Sequence, residues 1–256
     1  MPRLFVPNEN LGQPTLTLTG QDHRYLTRVL RLDEGAHVDL FDGRGLEIDA
    51  TIVSVGSREV ILSLGDRRQV TRPPTPPVTL LQGLPRAERM DLVVQKATEL
   101  GATRIIPVRT ARSATGQQAR SDRWERIARE AGRQCGRADL PDISPVLGLA
   151  DAIASLGPGT IGVVPWEEAP DAATLAATLA GPLAGPSATA TGQPWGAPPV
   201  GVAVLIGPEG GLTADEVELA TKAGFLVVTL GPRILRTETA AIATLAVIQS
   251  LVGGLG

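Results

Sequence analysis

The chain of 256 residues has one cysteine, two histidines and no long uninterrupted apolar run. A single cysteine, Cys135, excludes an internal disulfide and suits a reducing compartment. His23, His37 and Cys135 are too few for a dedicated zinc site, and no Ser/His pair falls in the second half, so neither a metal nor serine-type nucleophilic catalysis is expected. The longest apolar stretch, 240–252, is interrupted by Thr244, Gln249 and Ser250 and is too short to span a bilayer. The first residues, MPRLFVPNENLGQ, hold no apolar run of signal-peptide length. The expectation is a soluble, cytoplasmic protein without a membrane partner. Two phosphate-cradling strings are also missing: neither G-x-G-x-x-G nor G-x-x-x-x-G-K-[ST] occurs.

What is present is arginine, unevenly placed. Residues 1–137 carry 21 Lys+Arg against 16 Asp+Glu, net +5, whereas 138–256 carry 3 against 11, net −8; the sums recover the overall −3. The first half is therefore the half expected to face a polyanion. Within 104–137 nine arginines (104, 109, 112, 120, 123, 126, 129, 133 and 137) face only Asp122, Glu125 and Glu130. Pairs at i,i+4 such as Arg126 with Glu130 would make this a solvated helix face. The surplus of positive charge exceeds what such pairing neutralises and favours phosphate contact.

Residues 1–70 read as a small β-rich domain. Segments 38–41, 46–55 and 60–64 alternate or run apolar, separated by hairpin turn residues at 42–45 and 56–59. One short helix is expected over 23–32, with Arg24, Arg28 and Arg31 on one face and Leu26, Val29 and Leu30 away from them. His23 reads equally as a packed residue and as part of a basic surface. Four prolines within 71–77 mark a spacer. Beyond it, strands at 78–84, 104–108 and 160–164 alternate with helices at 88–100 and 122–135, the pattern of a mostly parallel α/β sheet. Residues 181–199 form a low-complexity loop in which Trp195 is either an anchor or incidental.

The last fifty residues carry the chemistry. Two short apolar runs, 202–206 and 225–230, read as buried strands, each followed by a glycine turn and a helix. The first turn is GPEGG at 207–211. Thr213 and Glu216 then make a capping box, and Leu212 with Val217 a hydrophobic staple, for a helix over 214–223 closed by Gly224. The second turn, LGPRILRTETA at 230–240, leads into an apolar helix over 239–252. Glycine turns at the carboxyl ends of adjacent parallel strands let a ligand approach bare backbone.

Taken together, LIGPEGGLTADEVE and LGPRILRTETAAI resemble the two signature blocks of the 16S ribosomal RNA uracil-N3 methyltransferases, the ribosomal RNA small subunit methyltransferase E group of the SPOUT class. The resemblance extends upstream through LFVP at 4–7, HRYLTRVLRL at 23–32, LFDGRG at 40–45, ERMDLVVQKATELGATRIIPVRTARS at 88–113 and RWERIAREAGRQCGR at 123–137, covering nearly the whole chain. It implies a PUA-like β-barrel over 1–70, a linker over 71–77 and, over 78–256, a SPOUT methyltransferase domain of mostly parallel sheet with a trefoil knot. The loop 181–199 departs from the family, whose connection is expected to be shorter. The implied cofactor is S-adenosylmethionine, held by Val164, Ile206, Gly207, Gly211, Leu230, Gly231, Ile234, Leu235 and Thr239. The implied substrate is one uridine of 16S ribosomal RNA in the small subunit, uridine 1498 in the usual numbering.

Arg236 cannot act as a base but can stabilise a developing imidate, and Glu238 is the nearest carboxylate that could orient uracil or accept its proton. The alternative for both is a mutual pair that shapes the turn. Arg3, His23, Arg24, Arg28, Arg31, Arg89, Arg109, Arg112, Arg133 and Arg137 are the residues expected to meet RNA. Three other functions stay open: another nucleotide-binding α/β enzyme, a noncatalytic ribosomal RNA-binding or assembly module, and another SPOUT RNA methyltransferase. The helix over 239–252, apolar nearly all round, must be covered on more than one side, by a second subunit in a homodimer or by its own chain.

Overall fold

The computed structural model describes residues 1–70, 76–114, 121–183 and 201–254. Most of the expected proline spacer, Arg120, and the loop 184–200 with Trp195 lie outside the described residues. Two compact units emerge. One holds the residues before the proline-rich segment together with Arg129–Leu140; the other holds the residues from that segment to Ala128 and from Pro141 onward.

The first unit is built on strands β1 (Arg3–Phe5), β2 (Thr15–Thr19), β3 (His37–Phe41), β4 (Leu46–Val55) and β5 (Glu59–Gln69), in the order β1-β3-β4-β5-β2. All pairings are antiparallel except β1 with β3. Strands β1 and β2 lie outside the expected set, although TLTLT in β2 has the period of two, burying Leu16 and Leu18 between exposed threonines. Between β3 and β4, Asp42 Oδ1 accepts from the amides of Arg44 (2.7 Å) and Leu46 (3.0 Å), closing the hairpin. Leu4, Leu26, Leu40, Ile48, Ile52 and Leu62 form the centre of the core.

The helix expected over 23–32 differs. It begins as α1 (Gly20–Arg24) and continues as a single π turn over Tyr25–Val29, with Leu30 N–H donating to Tyr25 O at 2.9 Å. Arg31, at φ 53°, stands past its end. Arg31 therefore lies off the helix that carries Arg24 and Arg28, and Val29 is 67 % exposed while Leu26 is fully buried.

The second unit contains a seven-stranded sheet: β6 (Val78–Gly83), β7 (Arg104–Arg109), β8 (Asp142–Ile143), β9 (Leu147–Gly148), β10 (Thr160–Pro165), β11 (Gly201–Ile206) and β12 (Leu226–Val228). The order is β12-β10-β11-β6-β7-β8, with β9 also on β7, and every pairing is parallel. Strand β11 is buried at all six residues, as its unbroken apolar run requires. Helices α2 (Ala87–Glu99), α5 (Leu175–Leu183) and α7 (Thr237–Leu251) pack into one apolar cluster through Met90, Val93, Leu179, Leu245 and Ile248. Helices α4 (Leu149–Ala154) and α6 (Ala214–Lys222) pack into another through Leu149, Ala152, Val217 and Ala220.

Helix α3 (Ser121–Cys135) contributes to both units, so the division is not the simple one expected at 71–77. Trp124 and Ala128 join the α/β core. Beyond them, the Arg129 guanidinium lies 4.7 Å from the Phe5 ring centroid and that of Arg133 4.0 Å from Tyr25, while Leu140 N–H donates to Gly43 O at 2.8 Å.

Candidate functional site

The carboxyl ends of the adjacent parallel strands β12, β10 and β11 surround a cavity of about 330 Å³, within the ~300–1,000 Å³ usual for small-molecule sites. Three segments wall it: Pro165 to Glu167 after β10, Ile206 to Leu212 after β11, and Thr229 to Thr237 between β12 and α7. The first segment was expected through Val164, but that side chain is wholly buried in β10 and the lining begins one residue later. Ile206, Gly207, Gly211, Leu230, Gly231, Ile234, Leu235 and Arg236 all line the cavity, whereas Thr239 is exposed and does not; Thr237 and Ala240 line it from the same helix.

Sequence-local chemistry fixes these turns. Thr213 Oγ1 accepts from Glu216 N–H (3.3 Å) and Glu216 Oε2 from Thr213 N–H (2.9 Å), closing the capping box, with Leu212 and Val217 buried as its staple. Glu216 Oε1 also accepts from Ala111 N–H at 2.7 Å. Gly211, at φ 71°, makes the turn a side chain would strain. Behind the turn, a Cβ on Gly83 would lie 2.7 Å from Pro208 Cδ, so the end of β6 must be glycine for the two segments to meet.

A buried polar network, absent from the expected site, joins the turns. Gln82, fully buried in β6, donates through Nε2 to Gly83 O (2.9 Å), Thr237 Oγ1 (2.9 Å) and Gly207 O (3.4 Å), and Thr237 Oγ1 donates to Gly207 O. Its signal in the sequence is one amide in an otherwise apolar strand, VTLLQG. Gln82 Oε1 and the cavity-lining Trp166 Nε1 are buried without a hydrogen-bond partner.

Arg236 and Glu238 are not paired with each other. Arg236 is exposed at the cavity, and its side chain makes no hydrogen bond or ion pair with any described residue. Glu238, 13 % exposed, pairs instead with Arg89 at 3.5 Å. Arg89 Nε also lies 3.5 Å from Glu209 Oε1, which accepts from Arg86 N–H at 3.0 Å. Arg89 thus lines the cavity between Glu209 of the first turn and Glu238 of α7, which does not itself line the cavity.

The arginines expected to meet RNA divide by partner. Arg3 pairs with Glu47 at 2.6 Å and stacks on Phe41. His23 is buried, its Nε2 donating to Gly56 O at 3.1 Å, which is the packed alternative. Arg133 pairs with Glu130 and stacks on Tyr25. Arg137 is 6 % exposed and donates to Asp139 O at 2.9 Å, which corrects its assignment to an RNA-facing surface. Arg112 donates through Nη1 to Gly210 O (2.8 Å) and Leu212 O (3.4 Å), holding the GPEGG turn. Arg24, Arg28, Arg31 and Arg109 are exposed and without a partner among the described residues. Among the described residues no cluster of His, Cys, Asp or Glu could hold a metal, and no helix is long and apolar enough to cross a membrane.

Comparison with known proteins matches residues 71–249 to an RNA methyltransferase domain and residues 18–65 to an RNA methyltransferase PUA domain. Ribosomal RNA small subunit methyltransferase E of Bacillus subtilis is 30 % identical over 92 % of this chain and 90 % of that protein. The protein of that name from Mycobacterium bovis is 32 % identical over 91 % and 85 %. The crystal structure of the Neisseria gonorrhoeae ribosomal RNA small subunit methyltransferase E bound to S-adenosyl methionine is 30 % identical, covers 98 % of each chain and superposes with a TM-score of 0.81.

Proposed function

The chain belongs to the ribosomal RNA small subunit methyltransferase E family, and from that premise we propose that it methylates N3 of one uridine in 16S ribosomal RNA, using S-adenosylmethionine. The observation that carries the reading is the cavity formed by the GPEGG turn and the 229–237 loop at the carboxyl ends of adjoining strands. Its composition suits the cofactor. Ile206, Leu212, Leu230 and Leu235 give an apolar wall for a purine, the turns offer backbone N–H and C=O groups, and the unpartnered Trp166 Nε1 is a donor in need of an acceptor. Val164 and Thr239 would act only through the segments they anchor. When bound, S-adenosylmethionine supplies an electrophilic sulfonium methyl.

The chain's residues must present the base and manage one proton. Uracil N3 carries an imide hydrogen that must be lost to a base; its loss puts negative charge on N3 and the two ring oxygens, and that charge is cancelled as the N–CH3 bond forms. Arg236, exposed at the cavity and without a carboxylate partner among the described residues, suits stabilisation of that charge. Glu238 is proposed to orient the uracil or take its proton, directly or through water, and Arg89 ties it to Glu209 at the cavity wall. A base reaches such a site only unpaired or flipped from its stack. Arg24, Arg28, Arg31 and Arg109 are the proposed phosphate contacts on the two units.

We also propose a trefoil knot formed by the three cavity loops, a cytoplasmic location and a homodimer. For the dimer, the support is α7: Ile242, Ala243 and Ala246 are half-buried but belong to none of the apolar clusters, and they lie on one helical face with exposed Thr239 and Ser250. An active monomer in sedimentation at micromolar concentration would exclude it.

Thermal-shift measurement tests the cofactor assignment. S-adenosylmethionine and S-adenosylhomocysteine should raise the melting temperature and NAD should not. Stabilisation by NAD alone would return the chain to the class of other nucleotide-binding α/β enzymes.

A further inference from the structure

Beside the cofactor cavity lies a second concavity of about 340 Å³, lined by Arg86, Arg89, Arg112, Ala114, Glu209 and Gly210. Arg89 and Glu209 line both cavities. We propose that this second concavity is an anion subsite, which binds a phosphodiester of the RNA strand whose base enters the first. The inference rests on the RNA-methyltransferase reading given above.

The charge balance carries it. Among the described residues, three guanidiniums wall the concavity and one carboxylate, Glu209, answers them. The Arg86 side chain is exposed and has no partner among the described residues; Glu209 accepts from its backbone N–H, not from its guanidinium. Arg112 spends one nitrogen, Nη1, on the carbonyls of Gly210 and Leu212, which hold it in place without neutralising it. Arg89 is shared at 3.5 Å between Glu209 and Glu238, and Glu238 does not line this concavity. The space therefore keeps an excess of positive charge on planar forks, the geometry that matches phosphate oxygens.

Position selects the ligand. A nucleotide joins base to phosphate through one sugar, so a base in the first cavity and its own or a neighbouring phosphate in the second would occupy two sites that share a wall. Docking there would fix the strand against the GPEGG turn through Arg112 while Arg236 meets the base. Arg86 is in this account a phosphate anchor rather than a catalytic residue.

The test is RNA binding by the full chain, followed by fluorescence anisotropy over a salt series with unmodified small-subunit ribosomal RNA, alongside calorimetry with S-adenosylmethionine. Arg86→Ala should weaken RNA binding about tenfold and reduce the salt slope by about one, with cofactor affinity unchanged. Arg86→Lys should restore the slope but only part of the affinity, because it keeps the charge and loses the fork. A second arm uses RNA in which single phosphates near the target uridine are replaced by uncharged methylphosphonates. One such replacement should weaken binding to the wild type and cost nothing further in Arg86→Ala. Unchanged RNA affinity and salt slope in Arg86→Ala would overturn the proposal, as would full additivity at every phosphate. Binding is read without turnover. A wild type that binds RNA through Arg86 but transfers no methyl would therefore refute the reaction and leave the subsite standing.

Discussion

Thr237 Oγ1 donates a hydrogen bond to Gly207 O at 2.6 Å, tying the first residue of the last helix to the glycine turn that precedes it by 30 positions. The same hydroxyl accepts from the buried Gln82 at 2.9 Å, so three separate segments meet at one oxygen. The Thr237 hydroxyl, buried and bonded on both sides, holds the cavity walls at their spacing.

Thr237→Val removes the hydroxyl at nearly constant volume. It leaves Gly207 O with only the long contact from Gln82 and deprives Gln82 Nε2 of one acceptor. The expected loss is ~1–3 kcal/mol of stability in urea unfolding, accompanied by weaker S-adenosylmethionine binding in calorimetry. Wild-type values for both would remove the junction from the account.

Arg236→Ala should leave fold and cofactor affinity intact and slow single turnover by about a hundredfold, the cost of one donor aimed at developing charge. Glu238→Gln should also slow turnover. Since Arg89 is one-third exposed, loss of its ion pair with Glu238 should change stability by less than about 1 kcal/mol. Rates equal to wild type in both variants would take these side chains out of the mechanism.

Arg28 and Arg133 should behave oppositely although both are arginines of the first unit. Arg28→Ala, at an exposed and unpartnered position, should reduce the salt slope of RNA binding by about one and leave stability unchanged. Arg133→Ala removes an ion pair with Glu130 and a stack on Tyr25, so it should lower the melting temperature. An identical salt slope for Arg28→Ala and wild type would contradict the assignment.

The pH dependence has a defined sign at Asp22. Burial pushes its carboxyl above the ordinary value of 3.8, and the nearby Arg133 guanidinium only partly opposes this. A raised folded pKa means that ionised Asp22 costs stability at neutral pH, a cost relieved as pH falls through the folded value towards 3.8. Asp22→Asn should therefore be at least as stable as wild type at pH 7, with the difference closing on acidification. A variant less stable at pH 7 by a margin that grows with pH would reverse the sign.

What the sequence made legible was local. The capping box of Thr213 and Glu216, the staple of Leu212 and Val217 and the buried run of β11 are patterns within ten residues, and each is present in the structure. Start points drifted where the cap has no side-chain bond: α7 opens at Thr237 behind Arg236 rather than at Thr239. The π turn at Tyr25–Val29 escaped because a period of 3.6 is assumed in reading faces. The arginines were only partly legible, since charge can be counted along a chain but partners cannot. Arg137 turned inward on Asp139, and Arg123 took Asp91, 32 positions away. Gln82 was missed because its partners, Gly207 and Thr237, lie 125 and 155 positions on.

The central claim is tested most directly by mapping methylated nucleotides by mass in small-subunit ribosomal RNA, before and after incubation with the purified protein and S-adenosylmethionine, as naked RNA and as assembled subunits. The account predicts one new methyl group, on N3 of a single uridine, in at least one of the two substrates. No gain of mass in either, or a methyl group on any other atom, would contradict it.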